Sequence, residues 1–103
     1  MTRRSRSLVQ ASACASKLKS LADPTRLAVV EALMDGPKHA GALQERLKVE
    51  QTLLSHHLQN LREANLVVAK RDGKAVLYRL APGVAARRGE SAIDLGCCML
   101  SFS

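Results

Sequence analysis

The spacing of apolar residues in this chain changes along its length, and each change marks an element. Leu8, Ala11, Ala15 and Leu18 recur at helical intervals with Cys14 beside the stripe, which predicts a first helix over Leu8–Ser20. In "LADPTRLAVVEALMDG", Leu27, Val30, Leu33 and Met34 keep the same spacing. Asp23 suits the N-cap, Pro24 the first helical position and Gly36 the residue after the end, while Pro37 blocks continuation. "AGALQERL" predicts a short third helix on Leu43 and Leu47. After a break at Lys48–Glu50, "QTLLSHHLQNLREANL" predicts a fourth on Leu54, Leu58 and Leu61. Two short helices joined by so tight a turn form a helix-turn-helix pattern.

The period then falls to two. "LVVAKR" and "AVLYRL" are β-rich arms on either side of "DGK", where Asp72-Gly73 is a strong hairpin signal, and Pro82 and Gly83 end the second arm. Val84–Phe102 reads as a last helix, weakened at Gly89 and Gly96 by about 1 kcal/mol each relative to alanine. The expected fold is therefore mostly α with a β-hairpin wing: four helices, the hairpin and a fifth helix. It is one winged helix-turn-helix domain over residues 1–103, with a basic arm at 1–7 and a C-terminal helix at 84–103.

Composition narrows this picture. At 103 residues the chain suits one small domain, and with Tyr78 and Phe102 its only aromatics the core must be aliphatic, which favours helices. A domain this small buries a modest share of its surface and gains from dimerising. Sixteen Lys and Arg against nine Asp and Glu give +7, a balance that suits a polyanion such as nucleic acid. Arg3, Arg4 and Arg6 start the chain with a basic arm. The Ala-rich stretch behind them is too short and too broken by Gln10 and Ser12 for a secretion signal. No stretch approaches a membrane span, so the expected location is the cytoplasm. No Cys-x-x-Cys, paired general acid and base or phosphate loop points to an enzyme.

A helix-turn-helix followed at once by a hairpin is the pattern of a winged helix. At about 100° per residue, Leu54, Leu58 and Leu61 face the core, and Thr52, His56, Gln59 and Glu63 lie opposite, flanked by Ser55 and Asn60. Short and amide side chains of this kind can reach base edges in a major groove, and Gln59 could pair with adenine. Lys70, Arg71 and Lys74 surround the hairpin tip, placed to hold phosphates. The expected DNA contacts are thus Thr52, Ser55, His56, Gln59, Asn60, Lys70, Arg71 and Lys74. A solvated helix face and turn would account for each feature singly; their coincidence with the net charge favours DNA.

"LADPTRLAVVEAL", "LLSHHLQNLREANLV" and "RDGKAVLYRL" together resemble the arsenic-repressor (ArsR/SmtB) family of dimeric bacterial winged-helix regulators, over about Leu18 to Leu80. The resemblance implies a homodimer with an interface of first and last helices, which would make 84–103 a dimerisation and sensor helix, and DNA released when an inducer, often a metal or metalloid, binds. In that family His57 matches a structural histidine of an "S-x-H-L" pattern. Two departures stand out. The family's Cys-x-Cys arsenic site would fall on the third helix, where "HAGALQERL" has no cysteine. Its zinc site on the last helix uses Asp and His, where this chain has only Glu90 and Asp94.

The remaining chemistry lies in three thiols, Cys14, Cys97 and Cys98. If the first and last helices pack together, these three converge, within one subunit or between two. Three thiolates without histidine suit a soft ion. Trivalent arsenic or antimony fits best, since a lone pair on the ion favours three pyramidal sulfur bonds. Cadmium remains open, as does zinc if Asp94 or a second subunit's thiol supplies a fourth ligand. A competing reading makes the cysteines small packing residues of an apolar seam. Another is a thiol-redox or reactive-sulfur sensor, in which a Cys14–Cys97 or Cys14–Cys98 disulfide is favoured over a strained ring between neighbours. A third function class is a constitutive architectural DNA-binding protein. The partners expected are a double-stranded operator with an inverted repeat and a second copy of the chain.

Overall fold

A computed structural model describes residues 7–84 and 91–102. The elements run α1 (Leu8–Leu21), α2 (Pro24–Leu33), β1 (Lys38–His39), α3 (Ala40–Leu47), α4 (Gln51–Glu63), β2 (Val67–Asp72), β3 (Ala75–Leu80), β4 (Ala92–Asp94) and β5 (Met99–Ser101). The helices begin and end where local chemistry dictates. Ser7 and Gln10 form a reciprocal capping box at the start of α1. The Asp23 side chain accepts from the backbone N–H groups of Thr25 and Arg26, and Pro24 occupies the first turn of α2. Lys48 takes up φ 56° to turn the chain between α3 and α4.

The end of α4 is set by Asn65, at φ 60°. Its N–H reaches Arg62 O at 3.0 Å, and Leu66 N–H reaches Leu61 O, also at 3.0 Å. This is a Schellman closure, with the buried Leu61 and Leu66 as its apolar contact. It brings the fourth helix to an end three residues earlier than the sequence pattern suggests and aims the chain directly into β2.

β2 and β3 form an antiparallel hairpin in which Val67 pairs with Leu80 and Asp72 with Ala75. Gly73, at φ 63°, and Lys74 are therefore the two turn residues, one step on from the expected Asp72-Gly73. β1, too short to show a period in the sequence, pairs with β3 through Lys38–Tyr78 and His39–Leu77, so the sheet order is β1-β3-β2. The core is aliphatic: Val29, Val30 and Leu33 of α2, Leu43 of α3, Leu54, Leu58 and Leu61 of α4, Leu66 and Val67 leading into the wing, and Ile93 and Leu95 near the C-terminus.

The expected last helix, Val84–Phe102, is corrected. Val84 lies in a turn, residues 85–90 are outside the described residues, and 91–102 form a second antiparallel hairpin, β4–β5, pairing Ala92 with Ser101 and Asp94 with Met99. From Cys98 to Phe102 half-buried and exposed residues alternate strictly, the period of a strand. Gly96 takes up φ 85°, which no helix interior allows, and its N–H donates to Asp94 Oδ1 at 2.7 Å. The dimerisation and sensor element at 84–103 is accordingly not helical in its described part. The basic residues Arg3, Arg4 and Arg6 fall outside the described residues, while Ser7, the last residue of the expected arm, is the cap of α1.

Candidate nucleic-acid interface and thiol cluster

α4 buries Leu54, His57, Leu58 and Leu61 and leaves Thr52, Ser55, His56 and Gln59 exposed. Four of the expected DNA contacts on this helix therefore share its open face. Gln59 donates to Glu63 Oε1 at 3.1 Å, one helical turn away. Asn60 is placed differently: it is half-buried, and its Oδ1 accepts from the Ser20 hydroxyl of α1 at 2.6 Å. Leu53, beside Thr52, is an exposed large apolar residue that sequence reading passed over. Its signal was available, since a leucine on the polar face of a helix has no core to enter.

Lys70, Arg71 and Lys74 are all exposed on the wing. Between the wing and α4 lies a groove lined by Gln59, Arg62, Glu63, Asn65, Val67, Val68 and Ala69. His39, to which the sequence reading gave no role, contacts Asp72 Oδ2 through Nε2 at 2.8 Å, tying the start of α3 to the wing tip across β3. His57 is buried and not part of the open face. Its Nδ1 lies 3.1 Å from Arg26 Nη1 and 3.8 Å from Asp23 Oδ1. A guanidinium only donates, so Nδ1 is the acceptor and the ring proton sits on Nε2. The Arg26 backbone N–H is the main cause holding Asp23 below its ordinary pKa. Burial opposes this, and the positive charge of His57 in its protonated form, the Arg26 guanidinium and the Thr25 N–H add to it.

At the other end of the molecule the three thiols meet within one chain. Cys14, buried on α1, is disulfide-bonded to Cys97, and Cys98 is the free thiol of the three. The Cys98 sulfur lies 3.8 Å from that of Cys14 and 3.9 Å from that of Cys97. All three sulfurs fall within 4.8 Å of one another. Cys97 and Cys98 stand in the loop between β4 and β5, which Leu95 N–H closes on Cys98 O at 2.8 Å. Lys17, one turn after Cys14, donates from Nζ to Leu95 O at 3.0 Å and holds the same loop to α1. Asp94, expected as an optional fourth ligand, turns Oδ1 to Gly96 and does not join the sulfur cluster. Two thiolates on one tetrahedral ion, each about 2.3 Å from it, lie about 3.8 Å apart, which is the separation of Cys98 from each of the other two sulfurs, and these soft donors suit a thiophilic ion once the disulfide is reduced.

The outward side of α1 is apolar and open. Leu8 and Val9 are 88% and 80% exposed, and Ala11, Ala15 and Leu18 are exposed below them. No helix of the described residues is long and apolar enough to cross a membrane.

Comparison with known proteins agrees with this architecture. Residues 23–68 match the pattern of the bacterial regulatory protein, arsR family. The chain is 40% identical over 80 residues, 78% of its own length and 68% of the relative's, to the biofilm growth-associated repressor of Agrobacterium fabrum. Among solved structures it is similar to reduced HlyU from Vibrio cholerae, with a TM-score of 0.69 and 31% identity, covering 72% of this chain and 78% of that one. It is also similar to a homodimeric winged helix-turn-helix DNA-binding domain from Mycobacterium bovis, with a TM-score of 0.69 and 30% identity, covering 79% and 76%.

Proposed function

The chain belongs to the arsR family of bacterial regulatory proteins, and on that premise we propose that it is a homodimeric repressor relieved at its thiol cluster by a thiophilic ion, trivalent arsenic or antimony foremost. It is a transcriptional regulator and not an enzyme, which sets aside the constitutive architectural reading. α4 is the recognition helix: Thr52, Ser55, His56 and Gln59 read base edges, with Leu53 available to a thymine methyl. Lys70, Arg71 and Lys74 hold the adjoining phosphates. The open apolar side of α1 is the surface for a second copy, in keeping with the homodimer named for the Mycobacterium bovis relative. Two recognition helices then enter successive major grooves of an inverted repeat, roughly 34 Å apart.

One observation carries the inducer: three sulfurs within 4.8 Å that join α1 to the β4–β5 loop. Cys14, Cys97 and Cys98 would hold the ion, which would supply a three-way link between the two elements. In the reducing cytoplasm the expected resting state is the trithiol. Ligation needs thiolates, so it releases protons and weakens as pH falls.

The Cys14–Cys97 disulfide favours a second reading, in which oxidation of the pair is itself the signal. One titration separates the two. Reduced protein on labelled operator DNA is challenged in parallel with arsenite, antimonite, cadmium, zinc and a polysulfide donor. Release by arsenite at lower concentration than by zinc, lost in Cys97→Ser/Cys98→Ser, supports the ion reading. Release by polysulfide with none by arsenite overturns it in favour of the redox reading.

A further inference from the structure

Among the described residues only two polar side chains are buried in the body of the protein, Ser20 at 6% and His57 at 7% exposure. Both belong to one set of contacts, and that set joins α1 to the recognition helix. The Ser20 hydroxyl donates to Asn60 Oδ1 of α4 at 2.6 Å. The Ser20 carbonyl accepts from Arg26 Nε of α2, and the other end of that guanidinium donates to His57 Nδ1 of α4. Hydroxyl, carboxamide, guanidinium and imidazole thus hold α4 at two adjacent turns.

The same side of α1 carries the thiol cluster. Cys14, Lys17, Ser20 and Leu21 stand at intervals of three, three and one, which is one face of a helix. At one end of that face Cys14 and Lys17 grip the β4–β5 loop. At the other end Ser20 grips α4. Cys14 and Ser20 are six positions apart, about 9 Å along the axis, with no proline or glycine between them. A helix of this length, capped by Ser7, moves as a rod. Apolar contacts can slide by a few tenths of an ångström at little cost, whereas hydrogen bonds are bound to a narrow range of distance and angle. A displacement of Cys14 along α1 would therefore reach α4 first through the Ser20–Asn60 hydrogen bond.

We propose that Ser20 is the positioning residue that couples the thiol cluster to DNA recognition. It acts on Asn60 directly and on His57 through Arg26. Asn60 and His57 sit directly beside Gln59 and His56 on α4, so moving these two handles redirects the face offered to DNA. The proposal rests on the reading of the cluster as the inducer site, and the experiment separates the two.

The experiment uses the full chain and labelled operator DNA in three states: reduced, reduced with arsenite, and oxidised. In the wild type, the ratio of operator Kd in either switched state to that in the reduced state is expected at roughly 5–150. Ser20→Ala removes the hydroxyl without changing the packing volume much. It is expected to keep the reduced-state Kd within about threefold and to lower the ratio by at least about threefold, since the link from the Ser20 carbonyl to Arg26 remains. Arsenite binding itself, read from thiolate-to-arsenic ultraviolet absorbance and proton release, is expected to be unchanged in the variant. Ser20→Thr, which keeps a hydroxyl, is expected to restore the ratio. A Ser20→Ala protein that keeps the full ratio, even with a lowered Tm, overturns the coupling role and leaves the cluster as inducer site. A wild type whose ratio is near one in both switched states overturns the site reading and the coupling together.

Discussion

The two ends of this molecule are held by different means. The helix-turn-helix and wing, from Asp23 to Leu80, are closed mainly by local chemistry: an Asp cap, a left-handed Lys48, a Schellman turn at Asn65 and a glycine at the wing tip. Leu54, Leu58 and Leu61 then press α4 into an aliphatic core. The opposite end, where α1 meets the β4–β5 hairpin, depends on contacts distant in sequence: a disulfide with a separation of 83, a lysine on a carbonyl, and Ile93 and Leu95 in the core. A reading head must keep one shape in every state, and packing with local caps provides that. A sensing end must change with chemistry, and a joint made of sulfur is conditional by nature.

The sharpest way to break this comparison is in the head. Leu61 is fully buried, and Leu61→Ala is expected to destabilise the protein by about 2–5 kcal/mol, in reduced and oxidised protein alike, by chemical denaturation. Reducing the disulfide is expected to cost somewhat less, about 2–4 kcal/mol, on the view that a long cross-linked loop constrains the unfolded chain. Hydrogen exchange should show the loss concentrated in β4–β5. If α4 and the wing lost protection equally on reduction, the division into two ends would fail.

Smaller effects sharpen the division within the head. Gln59→Ala is expected to lower specificity at one base pair by about 1–3 kcal/mol, seen in binding to a panel of single-site operator variants. Arg71→Ala and Lys74→Ala should weaken all sequences alike, each reducing the log Kd against log salt slope by about one. A wing variant that changed sequence preference would reverse the roles given to helix and wing. Asp23→Ala is expected to cost about 0.5–2 kcal/mol near neutral pH by loss of the α2 cap. Because the folded-state pKa of Asp23 is lowered from 3.8, its contribution is present above that value and disappears as pH falls below it. The wild type and the variant should therefore converge in stability only in strong acid.

The same difference between the ends explains what could be read from the sequence. Asp23-Pro24, the Lys48–Glu50 break, the leucines of α4 and the Asp72-Gly73 signal each lie within a few residues of the structure they specify, so the winged helix was legible. β1 was not: two residues carry no period, and Lys38 and His39 form a strand only because β3 runs beside them. Asn60 was assigned to the DNA face because angular position on α4 cannot register that α1 crosses there. The terminal hairpin reads from sequence as a helix weakened at Gly89 and Gly96, although Leu100 and Phe102 alternate with Met99 and Ser101 at the period of a strand. Convergence of the thiols was inferred from two helices packing together; the structure brings them together through one helix and a loop.

The disulfide has a consequence of a different kind. The bond from Cys14 to Cys97 makes a ring of the covalent chain, and the ring contains the recognition helix and the wing entirely. A protease that cuts at the exposed wing tip, after Arg71 or Lys74, opens that ring without separating the pieces. Oxidised protein nicked there should run as one band without reductant and as two with it. The redox state of a distant joint would then decide whether damage at the DNA-facing tip divides the molecule or leaves it in one piece.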